Sequence, residues 1–369
     1  MILERIRSLV LMPLLAIVLA LVIGAAVMIL SSPLVRGELN VGLPIVAYSA
    51  LAVGAFGSFE AWVTTIGNAA PLLLAGMAVG LGFKGGLFNI GAQGQFLVGA
   101  LAAAAAGIAM NDASPWVAIP VALLAGMAGG LAYGFIPGFL KAFTGAHEVV
   151  TTIMLNYVAV FLIAYLISGP LRGSEVTFSR TDDIVAAALP PIIGRDGNLG
   201  ILLAAASVPI LWWVLYRSTL GFEIRTTGAN PDAARYGGMH PRWLMVLTMS
   251  LCGMFAGLAG ATDVLGQVGY MPASYATSIG FTAIAVALLG RAHPVGILFA
   301  ALLFGAMNAG ANLMEIRALI PKQMILVVQA IILLLLTAEV VVRRVFRIRA
   351  AGGGLSELAT VTRSYGEQR

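Results

Sequence analysis

"WVTTIGNAAPLLLAGMAVGLGFKGGLFNIGAQGQFLVGALAAAAAGIA", residues 62–109, decides the kind of fold this chain adopts. Its one charged residue is Lys84. The apolar lengths on either side are each about 20 residues, enough to cross a hydrocarbon core of about 30 Å as a helix. A membrane strand would show outward and inward alternation over about ten residues, which is absent, so the stretch reads as two helical spans joined by an uncharged polar break.

The pattern recurs along the chain. Of its 369 residues, 60% are hydrophobic and 10% charged, against about 25% charged in an average soluble domain. The expected fold is all-α, a polytopic membrane helix bundle of about ten transmembrane helices. They fall near 9–30, 62–82, 88–109, 116–139, 148–168, 198–216, 243–263, 277–290, 294–314 and 323–342. The apolar run from Ser8 to Leu30 follows Arg5 and Arg7 but exceeds the h-region of a cleaved signal, so it reads as a retained first helix. Residues 41–58 are nearly long enough to span and read as an external or re-entrant segment. A true crossing there would switch the side of every later loop.

With that count, 15 of the 21 basic residues face one side. The positive-inside rule makes that side the cytoplasm and puts both the N and C termini there. The transmembrane domain then covers 1–342, with a cytoplasmic loop at 217–242 and an external loop at 169–197. The basic tail 343–369 reads as flexible, with anionic membrane lipid as partner for its first arginines. Topology explains the net charge of +5, so no nucleic acid is expected. The tryptophans Trp62, Trp116, Trp212, Trp213 and Trp243 sit at span ends, the interfacial position that indole favours. Gly and Ala at three- or four-residue spacing in 123–134, 251–261 and 303–312 predict close helix packing or a moving interface.

Several chemistries are missing. No ionisable group falls in the middle of a proposed span, with Glu148, Asp263 and Glu339 near ends, which disfavours a proton-coupled carrier. None of Lys84, Lys141 and Lys322 completes a Walker A loop. There is no HExxH, no GxSxG and no Cys/His cluster, and His147, His240 and His293 stand far apart, so no catalytic residues, metal site or cofactor is expected in this chain. The single cysteine, Cys252, reads as core packing.

The polar groups inside the membrane are neutral. Asn89 and Gln93, Thr152 and Asn156, and Asn308 and Asn312 are each four residues apart, the spacing of one helix face. Together with Gln95, Phe88 and Phe281 they either line a path for a neutral solute with hydroxyl, amide or flat-ring groups, or bond helix to helix. The spacing leaves both readings open.

The longest polar interlude is "LGFEIRTTGANPDAARYGGMHPRW", 220–243. Asn230 is a favourable N-cap, Pro231 fits the first helical position and Asp232 complements the positive end of the helix dipole. Gly237 and Gly238 permit the conformation that ends a helix. A short capped knob is more than a connector between spans requires, so it reads as a fitting for another protein.

"GFEIRTTGANPDAARYGGM" closely resembles the cytoplasmic coupling segment of the permease subunits of bacterial ABC importers. The superfamily is that of branched-chain amino acid, ribose and nucleoside permeases. "FKGGLFNIGAQGQFLVGA", "EVVTTIMLNYVAVFLIAYLISGPLR" and "GFTAIAVALLGRAHPVG" are similar to its nucleoside-uptake branch, and the likeness runs from about 65 to 340. The resemblance implies a multi-pass protein of the bacterial cytoplasmic membrane that pairs with a second homologous permease. It also implies a separate cytoplasmic ABC ATPase that holds ATP and Mg, and an external substrate-binding lipoprotein that meets loop 169–197. By match to the family segment, Glu223, Arg225, Gly228, Asn230, Asp232, Ala233, Ala234 and Gly237 form the ATPase contact. The expected solute is a nucleoside. Alternatives are a permease for monosaccharides or branched-chain amino acids, and a secondary carrier needing no ATPase.

Overall fold

A computed structural model describes residues 2–36, 39–174, 178–194, 196–275, 277–321 and 323–337. They form α1 (Ile2–Arg36), α2 (Leu43–Phe56), α3 (Phe59–Lys84), α4 (Ala92–Ala109), α5 (Pro115–Phe139) and α6 (Glu148–Ser168). A two-stranded hairpin, β1 (Pro191–Ile193) and β2 (Gly197–Asn198), precedes α7 (Gly200–Arg217), α8 (Thr219–Ala229) and α9 (Pro231–Tyr236). The rest is α10 (Pro241–Asp263), α11 (Ile279–Leu289), α12 (Pro294–Ala318) and α13 (Met324–Thr337). π-helical turns extend α5 over Leu140–Thr144 and α10 over Val264–Val268.

Among the described residues, eight helices are long and apolar enough to cross a membrane. These are α1, α3, α4, α5, α6, α7, α10 and α12, and the protein is a multi-pass membrane bundle. Local chemistry sets the ends. Ser58 Oγ accepts from the Ala61 amide at 3.1 Å to start α3, with Glu60 in its first turn and Lys84 in its last, both complementing the dipole. Proline, whose missing N–H costs nothing at the first position, opens α5, α9, α10 and α12.

α10 is the hub. It lies against α5, α4 and α3, while α3 is held on its other sides by α12 and α11. The packing repeats: α5 lies on α10 beside α4, and α12 lies on α3 beside α11. The triplets α3–α4–α5 and α10–α11–α12 therefore occupy corresponding places, as in transporters built from internal repeats. Small residues make the hub possible. A Cβ on Gly99 would lie 2.2 Å from the Cα of Gly257, and one on Gly253 would lie 2.1 Å from the carbonyl oxygen of Gly130. The glycine spacing of 123–134 and 251–261 thus produces backbone contact between α4, α5 and α10, the close-packing outcome. Cys252 is fully buried there.

Four sequence expectations change. The span placed at 88–109 begins only at Ala92, because Gly86 takes φ +69° and residues 87–91 run non-helically. The span at 277–290 is an 11-residue helix, α11, whereas α13 follows the span at 323–342 as far as Thr337, and residues 338–342 lie outside the described residues. Asp263 does not end its helix: the π turn carries the run to Val268 and leaves Asp263 6% exposed. Residues 219–229, read as linker, form α8, because Ser218 Oγ caps it from the Gly221 amide at 3.0 Å and Ile224 and Thr227 bury one face.

Segment 41–58 is α2, a 14-residue helix about 21 Å long at 1.5 Å per residue, less than a full crossing. It lies along α12, where a Cβ on Gly310 would stand 2.3 Å from the Leu51 carbonyl oxygen. Glu339 and the tail 343–369 lie outside the described residues.

Candidate functional site

A cavity of about 540 Å³ lies where α4, α6, α11 and the segment 273–277 meet, within the size range of small-molecule sites. Its polar lining is Gln93, Asn156, Ser274, Tyr275 and Thr277, and its apolar lining includes Ile90, Leu97, Ile163 and Phe281. Tyr157, Val160 and Phe281 on its rim are exposed, so it opens on the flank of the bundle.

The chain breaks two helices to build this place. After α3, residues 87–91 are unwound before α4 starts; after the π turn of α10, residues 269–275 and 277–278 are non-helical before α11 starts. Unwound backbone inside a membrane protein needs replacement partners. Asn156 on α6 supplies them to the first break, accepting from the Gly94 amide at 2.8 Å and donating to the Ile90 carbonyl at 3.1 Å. Gln93 supplies them to the second, donating to the Thr277 carbonyl at 2.8 Å and accepting from the Gly280 amide at 2.9 Å. The first turns of α4 and α11 are thereby joined directly. The N-terminal, positive dipole ends of both helices lie beside the cavity, with the Gly94 and Gly280 amides engaged by these side chains.

Of the residues read from the sequence as a path, Gln93, Asn156 and Phe281 meet here. Asn89 and Gln95 pair with each other at 2.8 Å and are both 1% exposed, away from the cavity lining. Thr152 is buried and donates to the Glu148 carbonyl at 2.7 Å. Phe88 packs on Phe83 with ring centroids 5.3 Å apart. Asn308 accepts from Gln329 at 3.1 Å, tying α12 to α13, and Asn312 is exposed. The four-residue spacing identified shared faces but not the neighbour each face meets. For Asn89 and Gln93 it did not even apply, since Asn89 precedes the helix.

Ser274, Tyr275 and Thr277 escaped the sequence reading, although "GYMPASYATS", 269–278, is a polar break between apolar runs like the one at 85–95. That resemblance between the two breaks was the available signal. The described residues of the loop 169–197 are fastened to this same segment. Thr181 and Met271 pair at 3.0 Å, the Ile184 amide bonds the Gly269 carbonyl at 2.8 Å, and the Ala273 amide bonds the Ser179 carbonyl at 2.9 Å. The Arg180 guanidinium stands 4.4 Å from the Tyr270 ring centroid.

At the C-terminal end of α3 lies the capped knob. Asn230 Oδ1 accepts from the Asp232 and Ala233 amides at 2.9 and 3.0 Å, and Gly238 stops α9 at φ +80°. Asn230, Asp232, Ala233 and Gly237 are exposed, whereas Ala234 is fully buried against its own chain. Glu223 and Arg225 are half-buried on α8, where the Arg225 guanidinium lies 5.2 Å from the Tyr216 ring centroid. Gly228 seats α8 on the backbone of Lys84–Gly86. Tyr236, read from sequence only as a helix residue, is 95% exposed at the tip.

A multi-pass bundle with a mostly apolar, aromatic-rimmed cavity that carries a few polar side chains between broken helices is a membrane permease rather than a structural bundle. The chain belongs to the branched-chain amino acid transport system / permease component family, which matches residues 61–337. It is 38% identical over 338 residues to the guanosine ABC transporter permease protein NupP of Bacillus subtilis, covering 90% of this chain and 94% of that one. It is 35% identical to the glucose ABC transporter permease protein TsgB13 of Haloferax volcanii, over 89% of this chain and 87% of that one. It is 33% identical to the nucleoside ABC transporter permease protein NupB of Lactococcus lactis, over 90% and 92%. A second guanosine permease of the same Bacillus, NupQ, is 26% identical over 65% of this chain and 78% of that one. No solved structure matches.

Proposed function

We propose that this chain is one permease subunit of an ATP-driven importer of nucleosides, with both termini in the cytoplasm of a bacterial cell. The observation that carries the reading is a cavity with polar side chains set in an apolar lining, joined through continuous backbone contact to an exposed, capped peg. α9 enters a separate cytoplasmic ATPase, which holds ATP and Mg. A second, homologous permease covers the open flank of the cavity, and the paired NupP and NupQ relatives support that arrangement. An external substrate-binding lipoprotein meets the loop 169–197.

Movement of the peg passes from α8 to the Lys84–Gly86 backbone, then to the unwound segment 87–91 and the cavity wall. ATP drives the change because the closed ATPase pair binds it more tightly in one conformation than in the other. The guanosine and nucleoside relatives support the solute class, as does a lining that mixes hydrogen-bonding groups with aromatic rings.

Vesicles holding both permeases and the ATPase, supplied with receptor and ATP, test this. Guanosine uptake that requires all components is the expected result. The glucose permease relative favours one rival: uptake of monosaccharides but not nucleosides would replace the solute. Transport by this chain without an ATPase would replace the mechanism with a carrier.

A further inference from the structure

Two carboxylates are buried among the described residues: Glu148, paired with Lys141 at 3.0 Å, and Asp263, for which the mechanism gives no role. Asp263, inside the continuous α10 run and 6% exposed, has one partner among the contacts observed, the hydroxyl of Tyr275, which donates to it. No Lys, Arg or His pairs with it among the described ion pairs. An ionisable group at such a site is costly to bury, which is why intramembrane carboxylates mark function by default.

Tyr275 stands between two restraints on its own segment. Ala273 is fixed outward to Ser179, and Thr277 is fixed inward to Gln93. The Tyr275 ring itself lies nearly parallel to Phe96, at 13° with centroids 6.4 Å apart, and lines the cavity. With its hydroxyl engaged by Asp263, Tyr275 offers the cavity an aromatic surface rather than a hydrogen-bond donor. We propose that Asp263 is a positioning residue that locks Tyr275 as a stacking platform for the planar base of the solute. The pair would thereby distinguish a nucleoside from a sugar or an aliphatic amino acid. This rests on the nucleoside reading above.

The test uses the complete detergent-solubilised complex of both permeases and the ATPase, without receptor, and measures equilibrium binding of radiolabelled guanosine. Removing both partners in D263L/Y275L avoids leaving a buried carboxylate unpaired, so the variant is expected to assemble and melt like the wild type. Its guanosine affinity should fall about tenfold, the loss expected of one base–aromatic stack. D263N keeps an acceptor for the Tyr275 hydroxyl and should retain wild-type affinity.

Wild-type affinity in D263L/Y275L overturns the proposal. So does D263N binding as poorly as D263L/Y275L, because charge rather than ring placement would then matter. If D263L/Y275L does not assemble, D263N/Y275L, which leaves a neutral amide in place of the unpaired carboxylate, carries the test with the same expected loss. Receptor-driven guanosine uptake by the wild type is scored separately: intact uptake with unmoved affinities sinks only the platform, and no nucleoside uptake at all sinks both readings.

Discussion

Gly228 and Gly86 touch through their backbones. A Cβ on Gly86 would lie 2.7 Å from the Gly228 carbonyl oxygen, and one on Gly228 would lie 2.6 Å from the Gly86 amide nitrogen. No side chain cushions the joint between α8 and the linker that leads to the cavity, so displacement of one is displacement of the other.

Gly228→Ala should therefore separate the peg from the path. The added methyl meets backbone, which cannot rotate away, and overpacking of this kind costs about 1–3 kcal/mol. We expect uptake to fall at least tenfold while the ATPase still copurifies. Wild-type uptake in reconstituted vesicles would remove the joint from the mechanism.

Tyr236 supplies the apolar tip of α9, and buried aromatic anchors dominate protein interfaces. Tyr236→Ala should lower ATPase affinity by about 2 kcal/mol, and it should leave the melting temperature of the membrane bundle unchanged because Tyr236 touches little of it. Copurification against ATPase concentration reads this directly. The neighbouring Asp232–Arg235 pair, 3.9 Å apart and well exposed, contributes little by itself.

Asn156→Ala leaves the Gly94 amide and the Ile90 carbonyl without their side-chain partner. The expected cost is about 2 kcal/mol, read as a lower melting temperature in detergent, with loss of uptake. Asn312→Ala, at an exposed position outside the cavity, should change neither.

His293, beside Tyr216 with ring centroids 5.6 Å apart, has its pKa lowered by partial burial first and by the Lys84 charge second. The folded protein thus binds this proton less readily than the unfolded chain does. Stability is unaffected while both forms are neutral, and it declines as pH falls below the ordinary histidine value toward the lowered one. His293→Gln should flatten the pH dependence of the melting temperature below the ordinary histidine value of about 6.5. An equally steep dependence in that variant would assign the effect to other groups.

The sequence by itself determined everything governed by local chemistry or by the solvent. Apolar length placed α3, α5, α6 and α12 within a few residues, and the Asn230–Pro231–Asp232 order with Gly237–Gly238 marked α9 to its ends. These follow from the length of a bilayer and from which side chains cap a helix, both properties of contiguous residues. The cavity was only partly legible: Gln93, Asn156 and Phe281 were singled out, whereas Asn308 and Asn312 belong to α12 far from it, and Tyr275 was passed over as connector. Tertiary structure decided which faces meet, that α8 exists and seats on Gly86, and that Asp263 is buried against Tyr275. Those outcomes depend on contacts between separate segments, 12 residues apart for Asp263 with Tyr275 and 187 for Gln93 with Gly280, and no local pattern records them.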